Sequence, residues 1–413
     1  MASLVGAALF LLIWGQAAQA PYHYDDYITP LQDPASQGLS AWGNNIAQTL
    51  RPLTKLTYAL ESSLGITSAP ARRVSSTLLG LITLVIFLNL LWKKTQHWGL
   101  SLTLALIWAL HPVQSENLIS LAGRSTLLAT LFIALSVNSE KFWRRLFFAI
   151  CAVLSKEVAL LYLLWTLFTE WQRSQDKRKI LGTLALFIAI VGIIMNERLL
   201  LLINYSLTEV TYIVRWWEGP AGISAGLVYL LLPFKVGIEV EFPWMISALW
   251  FFVTVILVGL VLWLYRRTQA SALILWLCLI LPTQSLIPKL DPLSLRSLGF
   301  SLLALPLIFV ALVPSRLWSK SLIFLIPFVV ICGTSSFHLA RAYRDPVALW
   351  RDASEKTKKK TRPLVNLSYF LVREDQYQEA KSALEEAQRR DPRNVDVRER
   401  LKSLTYLMET FNR

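Results

Sequence analysis

VSSTLLGLITLVIFLNLLW, residues 74–92, closes on Lys93-Lys94 and decides the fold. It holds no charged residue, and a bilayer core of about 30 Å takes about 20 apolar residues per helix. Runs of this kind recur at Leu118–Val137, Ile180–Met195, Met245–Tyr265 and Ser319–Cys332. A transmembrane β-barrel would instead show ten-residue alternating segments. The repeated runs predict an all-α, polytopic membrane protein.

Composition agrees. Of 413 residues 54% are hydrophobic and only 16% charged, against roughly 25% charged in a soluble domain. The formal net charge is nevertheless +14. Residues 1–340 carry 24 Lys/Arg and 15 Asp/Glu, whereas 341–413 carry 17 and 12. An apolar block thus precedes a small, highly charged tail. A strongly basic chain raises nucleic acid as a partner. Here the basic residues fall between the apolar runs, as membrane topology requires, and no nucleic-acid partner is expected.

The clusters Lys93-Lys94, Lys141/Arg144/Arg145, Arg173/Lys177/Arg178/Lys179, Arg266-Arg267 and Arg316/Lys320 together hold 13 basic and 3 acidic residues. The positive-inside rule makes them cytoplasmic. The other side, before residue 341, then holds 11 basic and 12 acidic residues. The path is about eleven crossings. Ala2–Ala20 leaves the cytoplasm, and an external loop runs over 21–73. Helices follow near 74–92, 98–110, 118–138, 146–155, 157–170, 180–196, 246–265, 271–286, 297–314 and 319–336. Ala2–Ala20 is either a retained first helix, the preferred reading, or a signal peptide. Residues 146–170 are read as a hairpin turning at Ser155-Lys156-Glu157. A single helix would bury both charges and place the basic 173–179 loop outside. Residues 197–245 are expected to be external amphipathic or re-entrant structure.

Cys151, Cys278 and Cys332 lie in apolar runs without metal spacing, and the four histidines form no zinc motif. With the topology drawn, the unusual polar residues collect on the external side. They are Asp25-Asp26, Arg51-Pro52, His111-Pro112-Val113-Gln114-Ser115-Glu116, Gly123-Arg124, Lys156-Glu157, Lys235, Glu239/Glu241, Lys289, Asp291 and Arg296. Each has a bland reading: a solvated helix end, a helix stop, a turn salt bridge or an interface anchor. Charges gathered on one side of a membrane carry more weight together. Paired carboxylates supply a general base, and Arg or Lys at membrane depth holds a lipid phosphate. A sugar carried on a polyisoprenyl phosphate needs both.

The domain 341–413 contains one helix-turn-helix of tetratricopeptide spacing at 364–397. Leu364, Leu367, Ser368 and Leu371 mark its first helix, and Ala380, Leu384 and Ala387 its second. A capping helix is expected over 396–410. One repeat cannot bury its face alone, so it should pack on the helix of 345–357, on the membrane domain or on a protein partner. Lys358-Lys359-Lys360 reads as a solvated linker.

In this order, the motifs resemble the transmembrane tetratricopeptide-repeat O-mannosyltransferase family, including bacterial relatives, of the GT-C glycosyltransferase superfamily. The carriers are Asp25-Asp26, Arg51-Pro52-Leu53-Thr54, the His111 to Glu116 segment with Gly123-Arg124, and Leu154-Ser155-Lys156-Glu157. Leu232-Pro233-Phe234-Lys235-Val236-Gly237, Arg296, and Arg344-Asp345-Pro346 leading into Trp350 complete them. The resemblance covers nearly the whole chain and implies a GT-C-like membrane domain over 1–340. It implies an integral protein of the bacterial inner membrane, its active face and C-terminal domain periplasmic, that transfers a sugar from a polyisoprenyl-phosphate donor to a protein or glycan acceptor on the non-cytoplasmic face. By resemblance the base is Asp25 or Asp26, and Glu116 is a second acidic site residue. His111 and Arg124 would shape a pocket. Lys156, Lys235 and Arg296, with Arg51 and Glu157, would serve the donor. Either Asp→Asn change is expected to abolish transfer with the fold intact. No cofactor is implied beyond the lipid-linked sugar, while a divalent cation among Asp25, Asp26, Glu116 and Glu157 stays open. The chain departs from the family in having about one repeat, and in Arg72-Arg73 and Ser75-Ser76 where relatives carry an aromatic, histidine-rich helix start. A non-catalytic scaffold recruiting a partner through the tail is the alternative. A transporter is a third reading, disfavoured by the lack of a clear internal repeat.

Overall fold

A computed structural model describes residues 2–23, 26–173, 182, 185, 197–208, 215–284 and 292–411. The expected helix at 180–196, the cations Lys177, Arg178 and Lys179, and Asp25, Lys289 and Asp291 lie outside the described residues. Among the described residues the regular structure is entirely helical.

The helices are α1 (Ala2–Trp14), α2 (Pro52–Ser63), α3 (Ala69–Thr95), α4 (Trp98–Leu110), α5 (Arg124–Asn138), α6 (Phe142–Ser155) and α7 (Leu160–Arg173). They continue as α8 (Glu197–Thr208), α9 (Glu218–Leu231), α10 (Ser247–Thr268), α11 (Ser271–Ile280) and α12 (295–312, interrupted at Leu302-Leu303). The last are α13 (Trp318–Ala342), α14 (Pro346–Lys356), α15 (Arg362–Arg373), α16 (Tyr377–Arg390) and α17 (Val395–Phe411).

Among the described residues, five segments are long and apolar enough to cross a membrane: Ala69–Thr95, Leu121–Asn138, Ser247–Thr268, Leu295–Leu312 and Ser315–Ala342. Their exposure pattern makes the same case. In α10, Phe252, Val255 and Ile256 face outward, as do Ile323, Phe324 and Val330 in α13. A continuous apolar surface of this kind costs about 25 cal/mol per Å² in water and nothing comparable in lipid.

Local sequence sets the helix ends. Ser68 caps α3, with Pro70 in its first turn, and Lys93-Lys94 finish it where the carbonyl end of the helix dipole favours cations. Gln96 then turns in the left-handed region, and the His97 ring caps α4 by accepting from Leu100 N at 3.1 Å. With 27 residues, α3 is about 40 Å long at about 1.5 Å per residue. It therefore defines two ends of the bundle.

Long-range contacts sort the other helices between these ends. At the end where α3 finishes, Lys93 Nζ reaches Asn138 Oδ1 at 3.1 Å and the His97 ring meets Ser319 Oγ at 3.3 Å. Lys94, Arg145, Gln269 and Ala311 border one cavity there. We call this the basic end. At the end where α3 begins, Trp14 Nε1 donates to Ala109 O at 2.8 Å and Ser336 Oγ to Leu110 O at 2.6 Å. We call this the ionic end.

The chain breaks at Lys156, whose backbone is extended between α6 and the turn Glu157–Ala159. Helices α6 and α7 pack on one another, so 142–173 forms two arms, as charge placement required. Within the stretch 197–245, α9 is an apolar helix packed on α10. Ser224 meets α10 by donating to Trp250 O at 2.7 Å, while the glycine face meets the segment before α12, where a Cβ on Gly222 would sit 2.2 Å from Pro292 O.

The tail forms a series in which α14 packs on α15, α15 on α16 and α16 on α17. Leu364, Leu367, Ser368, Leu371, Ala380, Leu384 and Ala387 are all buried, so every position that marked the helix pair faces its core.

Candidate functional site

The ionic end is built around residues 111–124. His111 ends α4; its Nδ1 accepts from Val113 N at 3.2 Å, so its Nε2 carries the proton and donates to Leu230 O at 3.1 Å. A short turn, a one-turn helix at Ser115–Leu118 and a second short turn follow, all buried. Two glycines permit this folding. A Cβ on Gly123 would lie 1.9 Å from Glu116 O, and one on Gly299 would lie 2.4 Å from Asn117 Nδ2. The segment is thereby pressed against the start of α12, where Gln114 Nε2 donates to Gly299 O at 3.1 Å.

Asp26 is fully buried and saturated. Its Oδ2 accepts from His23 N and Arg73, both at 3.1 Å. Its Oδ1 accepts from Ser120 Oγ at 3.1 Å and Ala122 N at 3.2 Å. Arg73 gives three more of its donors to the carbonyls of Ala20, Pro21 and Ile119. This pair staples the first loop to the 119–122 turn and is a structural element as it stands. Asp25, its sequence neighbour, lies outside the described residues.

From Asp26 the polar groups continue to a more open region. Arg296 Nη2 reaches Ser120 Oγ at 3.4 Å, and Arg296 Nε lies 3.3 Å from Glu116 Oε2. Arg362, at the start of α15, lies 3.9 Å from Glu116 Oε1 and 3.1 Å from Glu239 Oε1. Lys360 Nζ pairs with Glu239 Oε2 at 2.9 Å. Lys360 is thus a part-buried ion-pair partner, whereas Lys358 and Lys359 of the same run are exposed. The side chains of Arg296 and Arg362 are 22% and 41% exposed, so this part of the network faces out.

A second cluster lies beside it. Arg51 binds Glu157 through two hydrogen bonds, at 2.8 and 2.6 Å. Burial pushes the Glu157 carboxyl up, but the Arg51 charge and its hydrogen bonds outweigh this and hold it at about 2. Thr54 Oγ1 donates to Ser155 O at 2.9 Å, and Lys156 Nζ donates to the Thr126 hydroxyl while lying 6.0 Å from the Phe300 ring centre. Arg124 is buried. It pairs with Glu61 at 2.8 Å, donates to Arg72 O at 2.8 Å and stacks on Tyr58 at 4.4 Å. Arg72 lies 3.8 Å from the other Glu61 oxygen.

Of the residues singled out in the sequence, Asp26, Glu116 and Arg296 belong to one network and Arg51, Lys156 and Glu157 to the neighbouring cluster. Arg124 and His111 form the packed base beneath. Lys235 is exposed at the end of the turn after α9 and joins neither cluster among the described residues. Sequence reading missed Glu61, Arg72, Arg73, Lys360 and Arg362. The one available signal was that Arg72-Arg73 opens an apolar helix, where an unpaired arginine would be costly. Among the described residues no three His, Cys, Asp or Glu side chains converge as a metal site.

His23 ties the first loop to the tail: its ring lies 5.1 Å from that of Tyr343 and 5.9 Å from that of Phe370. Burial first, and the Arg73 charge second, pull its imidazole down from 6.5 to about 4, against the opposing pull of Asp26. The folded protein therefore holds His23 neutral while the unfolded chain protonates it. Its contribution is intact above pH 6.5 and is lost as pH falls toward 4, a loss on the order of 3 kcal/mol. The thermal midpoint of the detergent-solubilised protein should fall across that window. His23→Phe should flatten the fall; an unchanged slope would show that His23 is not its source.

No protein-family model matches the chain, and neither a curated protein nor a solved structure shows significant similarity to it. The class defined by fold is therefore the coarse one: an all-helical membrane protein with an ion-paired polar site at one end of its bundle.

Proposed function

We propose that the chain is a membrane glycosyltransferase that moves a sugar from a polyisoprenyl-phosphate donor to a hydroxyl of a protein or glycan acceptor. The observation that supports this reading is the convergence of Glu116, Arg296 and Arg362, with Arg51, Lys156 and Glu157 beside them, at the end opposite the basic loops. In the proposed topology of about eleven crossings, that end is extracytoplasmic and the tetratricopeptide-like tail lies on the same side. The GT-C resemblance of the motif order points the same way.

In this reaction the acceptor oxygen forms a bond to the anomeric carbon, and the bond from that carbon to the phosphate oxygen breaks. The phosphate leaves with the electron pair, and a base takes the acceptor proton. Arg296 is the cation best disposed for the departing phosphate, being half held by Glu116 and partly exposed, and Lys156 is the second. Asp26 has both oxygens occupied by four donors, which leaves Asp25 as the base. Glu116 orients Arg296, and His111 and Arg124 hold the floor in place.

The test is transfer of a labelled sugar from polyisoprenyl-phosphate donors by the purified full chain in liposomes. Asp25→Asn should lose transfer by at least about a hundredfold, the scale of general-base catalysis, with an unchanged elution profile. Full activity in this variant would remove Asp25 from the reaction.

A further inference from the structure

At the basic end, away from the proposed transfer site, a cavity of about 520 Å³ opens between α5, α6, α7, α11 and α12. That volume is within the range of small-molecule sites, about 300–1,000 Å³. Its lining is divided by chemistry. Lys94 and Arg145 supply two cations, with Ser139 and Thr169 as nearby hydroxyls; Leu275 and Leu307 supply apolar wall.

The cavity sits at the level where a bilayer changes from headgroup to hydrocarbon. The Trp92 and Trp98 rings stack at 5.0 Å beside the α3–α4 turn, and Trp143, Trp171 and Trp263 are all more than half exposed near the same helix ends. Tryptophans at helix ends mark the membrane–water interface. Arg145 is anchored by Glu170 at 3.1 Å, which fixes its guanidinium, and its Nε is buried without a hydrogen-bond partner among the described residues. Lys94 is exposed and mobile enough by its length to close on a ligand.

A free anion would use the two cations but not the apolar wall. An apolar molecule would leave Lys94 and the unpaired Nε of Arg145 unserved, whereas the Ser139 and Thr169 hydroxyls already donate to Leu135 O and Thr166 O. Only an amphiphile with an anionic head satisfies both halves of the lining. We propose that this cavity binds an anionic phospholipid, its phosphate between Lys94 and Arg145 and the start of its acyl chain against Leu275 and Leu307. The site is independent of the glycosyltransferase reading and faces the leaflet on the opposite side.

The full chain in detergent, titrated with phosphatidylglycerol or phosphatidylcholine and read by native mass spectrometry, tests this. Phosphatidylglycerol should be retained at least fivefold more strongly. Lys94→Ala should weaken its retention about fivefold, the scale of one basic residue at a membrane surface. Ala272→Trp, which fills the cavity from a partly exposed position, should abolish the preference while leaving the melting profile in place. Glycerol phosphate at millimolar concentration should not displace the lipid. Equal retention of the two lipids, wild-type retention in both variants, or displacement by glycerol phosphate would each overturn the assignment; the last would identify a soluble phosphate compound instead.

Discussion

Asp26→Ala is expected to unfold the protein rather than merely silence it. The Arg73 side chain is 1% exposed and Asp26 completely buried. Removing the carboxylate leaves a guanidinium charge in the interior, together with the amides of His23 and Ala122 and the Ser120 hydroxyl that it satisfied. Breaking a buried pair from one side costs about 3–5 kcal/mol. Globular folds have about 5–15 kcal/mol in total, so the loss is a large share. The variant should elute as aggregate in detergent or melt far below the parent. Replacing both partners, as in Asp26→Ala with Arg73→Met, removes the orphaned charge and should recover part of the loss. A single variant as stable as the parent would contradict the stapling role. The pair of aspartates that looked equivalent in the sequence thus divides into a buried strut and a candidate base.

The second large effect is expected at Glu61, which no motif marked. Its two oxygens serve two arginines, Arg124 at 2.8 Å and Arg72 at 3.8 Å, both almost wholly buried. Glu61→Ala leaves two uncompensated cations near one another. Its cost should equal or exceed that of Asp26→Ala, again about 3–5 kcal/mol or more. Glu61→Gln keeps an acceptor for Arg124 but not the charge, and should fall between. Glu116→Ala is the informative control. Its partners Arg296 and Arg362 are partly exposed, so water takes over their solvation and the melting shift should be small. An equally large shift in Glu116→Ala would mean that the two networks do not differ in burial as described.

The contrast between these two networks explains what sequence reading reached. Helix positions followed from local information: α4 spans Trp98–Leu110 as expected, and α3 overruns its 74–92 run because Ser68-Ala69-Pro70 supplies a cap and first turn before the arginines. The break at Lys156 was also legible, since a single helix would have buried Lys156 and Glu157 at its centre. Pairing was not legible. Arg73 finds Asp26 across 47 positions and Lys360 finds Glu239 across 121, and nothing local announces such partners. Arg124 therefore reads as a pocket cation and Arg73 only as a departure from the family's helix start, although burial makes both of them struts. Within 197–245, Arg215, Trp216 and Trp217 before α9 and Lys235 after it set the amphipathic look, while Gly222 and Gly226 inside the helix are packing residues whose partners lie far along the chain.

The central claim is that the ionic end receives a sugar-bearing polyisoprenyl phosphate. A photoreactive polyisoprenyl-phosphate sugar, bound to the full chain in the presence of excess phosphatidylglycerol and mapped by peptide mass spectrometry, tests this most directly. The predicted result is labelling of peptides within 111–126, 155–160 and 292–301, suppressed by unlabelled donor. Labelling confined to the basic end, around 93–98 and 266–272, or none that the unlabelled donor suppresses, would contradict it.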